Sequence, residues 1–182
     1  MKASKSIASM VLIGVILLLT PLLASTACNR DTYWIESQGR FFTDDLARAQ
    51  AKIPFTILLP TYFPDNTDHV PPMIDGPLDS NDNRIEVNIK YLLYLSDGIS
   101  CPVIISESNY PSSLGDPELN PDLELIEIDG KQVIKTKDNF SPEDEGAYFS
   151  FKIEDIYIVV ETRYLPVEEA KKIVESMIQP ME

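Results

Sequence analysis

The strand that decides the fold is IEVNIKYLLYL, residues 85–95. Its odd-numbered positions are apolar throughout, whereas its even-numbered positions begin polar with Glu86 and end apolar with Leu92 and Tyr94. A period of two is typical of a β-strand, because successive side chains point to opposite faces of a sheet. The pattern therefore predicts a long strand with one apolar face and a second face that becomes apolar toward its end.

Further strands are predicted on both sides of this one. Short turn sequences, among them Asp129-Gly130 and Glu154-Asp155, separate apolar runs, and connections this short join antiparallel neighbours. The predicted strands cover residues 55–59, 85–95, 99–106, 123–128, 131–136, 147–153 and 156–163. They predict a single antiparallel β-sheet of about seven strands.

Two segments with a helical period flank the strands. Thr43 is the predicted N-cap of a short helix that ends before Pro54. Near the C-terminus Pro166 suits a first helical turn, and an apolar stripe follows it, formed by Val167, Ala170, Ile173, Val174 and Met177. The predicted fold class is therefore α+β, with a short N-terminal helix and a C-terminal helix packed on one face of the sheet.

The N-terminus predicts export. Lys2 and Lys5 precede an uncharged run over residues 7–27, which ends in small residues before Cys28. This segment resembles a bacterial lipoprotein signal, and the resemblance implies cleavage before Cys28 and a diacylglyceryl group on its sulfur. We expect residues 1–27 to be a signal peptide, residues 28–42 a tether and residues 43–182 an extracytoplasmic α+β domain.

Two alternatives for the same segment remain open. Ser25-Thr26-Ala27 also suits ordinary signal peptidase, whose product would be a soluble secreted protein. The 21 uncharged residues are also long enough to span a bilayer as an uncleaved helix, although Pro21 weakens this interpretation. All three interpretations place the remaining residues outside the cytoplasm. The lipoprotein interpretation predicts attachment to the outer face of the bacterial cell membrane or a location in the periplasm.

The net charge of the chain makes some classes of binding partner unfavourable. Without residues 1–27 the chain has 13 basic and 29 acidic residues, and hence a net charge of −16. Nucleic acid is not an expected partner, because a polyanion is repelled and no basic stripe is present. Direct adhesion to anionic headgroups is disfavoured for the same reason. Cys28 and Cys101 are the only cysteines, so acylation of Cys28 excludes an internal disulfide, and Cys101 is expected to be a buried thiol.

Catalytic and metal-binding patterns are weak. The chain has one histidine, His69, and lacks the G-x-S-x-G, H-E-x-x-H and P-loop motifs, so no enzyme is expected. A hydrolase that uses His69 with a serine and an acid is the alternative. Residues 79–83 match the first three ligand positions of an EF-hand, but Arg84 replaces its glycine and Lys90 its glutamate. A looser Ca²⁺ site remains as an alternative, with the ligands Asp75, Asp79 and Asp82.

Three stretches resemble a known type of domain. They are residues 49–55 leading into Leu59-Pro60 and Phe63-Pro64, the Ile128-Asp129-Gly130 hairpin, and residues 165–170 running to residues 175–177. Together they are similar to extracytoplasmic domains of unknown function in bacterial lipoproteins and membrane-anchored regulators, related in style to the sigma-E regulatory and lipoprotein-carrier fold. The resemblance implies a curved antiparallel sheet with a helix in its concavity, and binding or sensing in place of catalysis.

Apolar side chains in the strands are the candidates for binding a partner protein or an apolar ligand. Residues that are apolar on both faces of a strand need a second cover, although filling the core is the ordinary role of such residues. The candidates are Leu92, Tyr94, Tyr148, Phe149 and Phe151. We therefore expect a membrane-tethered, non-enzymatic domain of an envelope sensor or regulator. The alternatives are a structural envelope lipoprotein without a ligand and a weak Ca²⁺-binding surface protein.

Overall fold

The computed structural model describes residues 32–65, 67–79, 83–95, 98–112, 114–137 and 146–179. The chain divides into two units, Met1–Asp31 and Thr32–Glu182, and all of the described residues belong to the second. Cys28, Asp82 and the side chain of His69 lie outside what the structure describes. The predictions made for them stay predictions.

Ten strands form one open antiparallel sheet. The strands are β1 (Trp34–Ser37), β2 (Arg40–Thr43), β3 (Thr67–His69), β4 (Met73–Pro77), β5 (Glu86–Leu95), β6 (Ser100–Ser108), β7 (Leu123–Ile128), β8 (Lys131–Thr136), β9 (Gly146–Ile153) and β10 (Ile156–Arg163). Nine strands follow one another in the order β1-β2-β4-β5-β6-β10-β9-β8-β7, and the short β3 pairs with β5. The described residues are therefore mostly strand, with two helices.

The central strand β5 has the predicted alternation. Ile89 lies opposite Ile74 of β4 and Ile105 of β6, and all three side chains are fully buried. Leu92 and Tyr94 point the other way and are exposed. We call the face of the sheet that contains Ile89 and its register partners the inner face, and the face that contains Leu92 and Tyr94 the outer face.

The prediction of about seven strands is wrong. Residues 55–59 have no regular structure, whereas the sequence predicts a strand there. Conversely, the sequence does not predict β1, β2, β3 or β4, because each is only three to five residues long and too short to show a period of two. The sheet consequently begins at Trp34, inside the segment of residues 28–42 that was expected to be a tether.

Two helices accompany the sheet. The first, α1 (Leu46–Gln50), contacts β2 and β4, and the second, α2 (Val167–Ile178), contacts β9. The prediction that Thr43 is the N-cap of α1 is wrong, because Thr43 is the last residue of β2. Asp45 is the cap, and its Oδ1 accepts from the Arg48 amide at 3.0 Å. In α2 the predicted stripe is buried from Ala170 to Met177, in the same core as the inner face of the sheet.

The irregular residues 52–65 complete the cover of the inner face. The Phe63 ring packs against Tyr91 of β5 with centroids 4.8 Å apart, and the Thr61 amide donates to Ser176 Oγ of α2 at 3.2 Å. The segment thus links the sheet to the second helix. None of the helices within the described ranges is long and apolar enough to cross a bilayer.

Gly76 of β4 provides a test of the packing of β4 against Phe41 of β2. A Cβ atom added at Gly76 would lie 2.7 Å from Cζ of the fully buried Phe41 ring, so the ring would have to shift. We predict that Gly76→Ala lowers the free energy of unfolding by about 1–3 kcal/mol, measured by urea denaturation, because overpacking displaces buried side chains. Adding Phe41→Leu should offset part of this loss. Equal stability of Gly76→Ala and wild type would contradict the contact.

Candidate functional site

A groove of about 400 Å³ opens on the outer face of the sheet over strands β7 to β10. Its lining residues are Leu125, Gly130, Lys131, Gln132, Ile134, Ser150, Phe151, Lys152 and Tyr157. Register aligns three of them in one row across the strands, since Leu125 lies opposite Ile134 and Ile134 lies opposite Ser150. Leu125 is 54% exposed, so the groove has an apolar floor that solvent reaches.

Lys152 points into this groove. It is exposed, and its Nζ lies 5.0 Å from the centroid of the Tyr157 ring and 3.4 Å from Oδ1 of Asp155. Lys131 also borders the groove, but the alternation of β8 puts its side chain on the same face as Val133, the inner face. A cationic side chain beside an apolar floor suits an amphipathic group with a negative end, because the two kinds of contact are met at once.

The structure separates the five residues predicted to bind. Leu92, Tyr94 and Tyr148 lie on the outer face, whereas Phe149 and Phe151 point to the inner face and are buried in the core. Phe151 alone of the five borders the groove. Leu92 and Tyr94 are on β5, three positions from β9 in the strand order, so these residues do not form one site.

Sequence reasoning missed the residues on the floor of the groove, although a signal for them exists. Leu125-Ile126 and Val133-Ile134 are pairs of adjacent apolar residues within strands. Because neighbouring side chains of a strand point to opposite faces, each pair places one apolar side chain on the face that lacks the helices. Val133 is fully buried in the core, and Ile134 is its counterpart in the groove.

The predicted Ca²⁺ ligands are not assembled in the part of the chain that the structure describes. Asp75 is 3% exposed, and its Oδ1 accepts from Arg40 Nε at 3.0 Å and from Asn88 Nδ2 at 3.2 Å. Its Oδ2 forms an ion pair with Lys90 Nζ at 3.2 Å. Burial acts to raise the pKa of Asp75, but the bonds from Arg40 and Asn88 and the charge of Lys90 outweigh it and lower the pKa.

Asp79 and Asp82 are the remaining Ca²⁺ candidates. Asp79 is exposed, and Asp82 lies outside the described residues. Across the described ranges, no group of three or more His, Cys, Asp or Glu side chains is arranged around a common metal position. The carboxylate of Asp75 forms ion pairs with Arg40 and Lys90, and these pairs are part of the fold.

A second buried acid lies on the inner face. Glu107 of β6 is fully buried, opposite Val87 and Ile158. Its two carboxylate oxygens accept from the Leu58 amide at 3.0 and 3.1 Å, and burial raises the pKa of Glu107 to about 8. This contact fixes the irregular residues 52–65 to the middle of the sheet. Burial raises the pKa of Tyr91, and the charge of Glu107 raises it further.

The second cysteine has the predicted environment. Cys101 is fully buried, and its Sγ donates to the Tyr164 carbonyl oxygen at 3.0 Å. It contributes to the core as a small apolar residue.

Comparison with known proteins gives no relative. No protein-family model, curated protein or solved structure matches this chain significantly. Function is therefore inferred from the residues of this chain alone.

The raised pKa of Glu107 predicts a pH dependence of stability. The unfolded carboxyl ionises near pH 4.5 and the folded one near pH 8, so the folded state binds more protons between these values and stability falls as pH rises through them. We expect the free energy of unfolding to fall by on the order of 1 kcal/mol per pH unit in this window. Glu107→Gln, which preserves the acceptor for the Leu58 amide but stays neutral, should remove this decline and be more stable than wild type at high pH.

Glu124→Gln is the matched control, because Glu124 is partly exposed and pairs with Lys135 at 3.1 Å. It should leave the decline unchanged. Guanidinium unfolding of all three proteins at a series of pH values measures the effect. A wild type whose stability is flat across this window would show that Glu107 is ionised in the core.

Proposed function

We propose that this chain is a bacterial lipoprotein whose extracytoplasmic domain binds a partner protein or an apolar ligand and does not catalyse a reaction. The observation that supports binding most strongly is the groove on the outer face, with its apolar floor of Leu125 and Ile134 and the cationic side chain of Lys152. The described helices cover the opposite face, so this groove remains open to a ligand.

The membrane attachment in this proposal rests on the N-terminal sequence. Lys2 and Lys5, the uncharged run and the small residues before Cys28 form the signal, and Cys28 receives the lipid. Each buried methylene contributes about 0.8 kcal/mol, so two or three acyl chains give a stable anchor. The domain would then function on the outer face of the cell membrane or in the periplasm.

The composition of the groove supports binding over catalysis. None of its nine lining residues is an acid, a histidine or a cysteine. Ser150 lies among them, but no acid or histidine that could act as its general base lines the groove, and Lys152 is paired with Asp155 Oδ1 at 3.4 Å. The function is therefore proposed as recognition.

Kinship with the sigma-E regulatory and lipoprotein-carrier style of domain belongs to the same proposal. An antiparallel sheet with its helices over the inner face supports it. The proposed binding surface differs from the sheet concavity that this resemblance implies, because the inner face is filled by the chain's own side chains, such as Phe149 and Ile173. We therefore propose that the partner protein or ligand binds on the outer face.

Lipid attachment is tested by metabolic labelling with a palmitate analogue. The full chain should be labelled, and Cys28→Ala should lose the label completely, because the acyl chains require that sulfur. Cys101→Ala is the matched control and should keep the label, since its thiol is buried in the core. Equal labelling of wild type and Cys28→Ala, or none in either, would contradict the anchor.

Binding at the groove is tested by photo-crosslinking in intact envelopes. A photoreactive amino acid at position 125 should give adducts with a protein or lipid, and the same residue at Leu119, which is exposed but outside the groove, should not. A further Lys152→Glu substitution should weaken the adducts at position 125 by roughly tenfold, about 1.4 kcal/mol, since it reverses a charge at the ligand. Equal or absent adducts at both positions would favour a structural lipoprotein without a ligand.

A further inference from the structure

We propose that the open side of β7 is a docking edge for an extended segment of a partner protein, which pairs with β7 as a further strand of the sheet. The segment that fits has two adjacent apolar residues between two basic residues. This proposal rests on the proposed binding at the groove, which β7 borders, and it names the class of partner as a protein strand.

The strand β7 ends the sheet on one side, because only β8 pairs with it among the strands that the structure describes. Its register with β8 is unbroken from Leu123 opposite Thr136 to Ile128 opposite Lys131. Natural sheets often interrupt an exposed edge with proline, lysine or a bulge, because its unpaired backbone groups attract other strands. The six residues of β7 include none of these. Their backbone is therefore a continuous template for one more strand.

The backbone groups of Leu125 and Glu127 point to this open side. Asp129-Gly130 is a two-residue turn with positive φ at both positions, so the flanking Ile128 and Lys131 exchange both backbone hydrogen bonds. Bonded and non-bonded pairs then alternate along the hairpin, and every second residue of β7 bonds to β8. Leu125 and Glu127 fall between the bonded residues, so each offers an N–H and a carbonyl to a new strand.

Two hydrogen bonds at the start of β7 fit this alternation. The Lys137 amide donates to the Asp122 carbonyl at 2.8 Å, which continues the bonded pairs beyond the end of the hairpin. The Leu123 amide donates instead to the Asn120 carbonyl, at 3.1 Å. Because Leu125 lies two positions after Leu123, its amide also points away from β8.

The side chains of β7 determine which segment fits. Residues 124–127 are two apolar residues between two glutamates. Leu125 is 54% exposed on the outer face and continues the floor of the groove, and Ile126 is partly buried against the core. An incoming strand contacts both faces of its neighbour. Apolar residues opposite Leu125 and Ile126 would therefore extend the groove floor on one face and the core on the other.

Charge selects a basic segment. Glu124 is paired with Lys135 of β8 at 3.1 Å, whereas Glu127 is exposed and lies opposite the neutral Gln132. A lysine or arginine of the new strand opposite Glu127 would form a cross-strand pair of opposite charges, which stabilises strand pairing. The cation of the groove, Lys152, is on β9, two strands away from β7, so it does not face the new strand.

Charge also excludes a second copy of this chain as the strand at this edge. Antiparallel pairing of the apolar residues of β7 with those of another β7 sets Glu124 opposite Glu127, and like charges directly opposite destabilise strand pairing. The whole chain has 15 basic and 29 acidic residues, so copies also repel one another in general. The occupant is therefore a segment of a different protein.

A synthetic peptide of sequence STKVIKTS, blocked at both ends, tests this edge. Amide hydrogen exchange of the full-length chain in detergent micelles is measured by nuclear magnetic resonance, with and without the peptide. Peptide at about ten times its dissociation constant should slow exchange at Leu125 and Glu127 by roughly tenfold, because their N–H groups then donate to the peptide. The amide of Glu36, in the strand β1 at the other edge of the sheet, should exchange as before.

Charge reversal tests the pattern of the segment. Glu127→Lys should weaken binding of STKVIKTS by roughly five- to tenfold and strengthen binding of the acidic peptide STEVIETS, because attraction and repulsion exchange places. Glu36→Lys makes the same change at an exposed residue of the other edge strand and should alter neither affinity.

Three results would overturn the docking edge. One is equal affinity of wild type and Glu127→Lys for both peptides, and another is equal slowing of exchange at Glu36 and Leu125. The third is slow exchange at Leu125 and Glu127 that appears without peptide as the protein concentration rises, which would identify a second copy as the occupant.

Crosslinking at position 125 in envelopes separates this proposal from the proposed function. Adducts at that position, together with no effect of the peptide on exchange, retain the groove as a binding site and overturn only the docking edge. Absence of both adducts and a peptide effect overturns both proposals. Adducts with a protein that STKVIKTS displaces and STEVIETS does not displace support both.

Discussion

The pairing of β5 with β6 is the constraint on which the rest of the domain depends. It extends from Glu86 opposite Ser108 to Tyr94 opposite Ser100 and determines which side chains face the helices. Because the side-chain period of a strand is two, a slip of β5 by one residue would move Ile89 out of the core and replace it by Asn88 or Lys90. The other strands extend this register outward on both sides, and the helices must then lie over the inner face because the apolar residues are there.

Two buried acids show how this register places polar groups. Asp75 lies on the outer face among Arg40, Lys90 and Asn88, so its charge is compensated, whereas Glu107 lies on the inner face among apolar side chains with a single amide donor. Glu107 nevertheless organises the fold, because the amide it binds belongs to the irregular residues 52–65. The opposite pKa directions of these acids follow from their neighbours and not from their depth alone.

The long strands and the second helix could be predicted from the sequence, because eight or more residues are enough for a period to stand out, as in β5, β10 and α2. The short strands β1 to β4 could not, since pairing with their neighbours, and not their own composition, makes them strands. The same reason limits prediction of the site. The exposed Leu92 and the buried Phe149 are both apolar strand residues, and only the position of the helices decides which of them solvent reaches.

The order of the strands determines how far along the sheet the groove lies from β1. The first strand, β1, ends the sheet on one side, and β9, which borders the groove, is six positions further along the strand order. With neighbouring strands about 4.8 Å apart, the path along the sheet from β1 to β9 is roughly 30 Å. A macromolecule bound over the groove would thus cover one end of the sheet and leave the first strands accessible at the other.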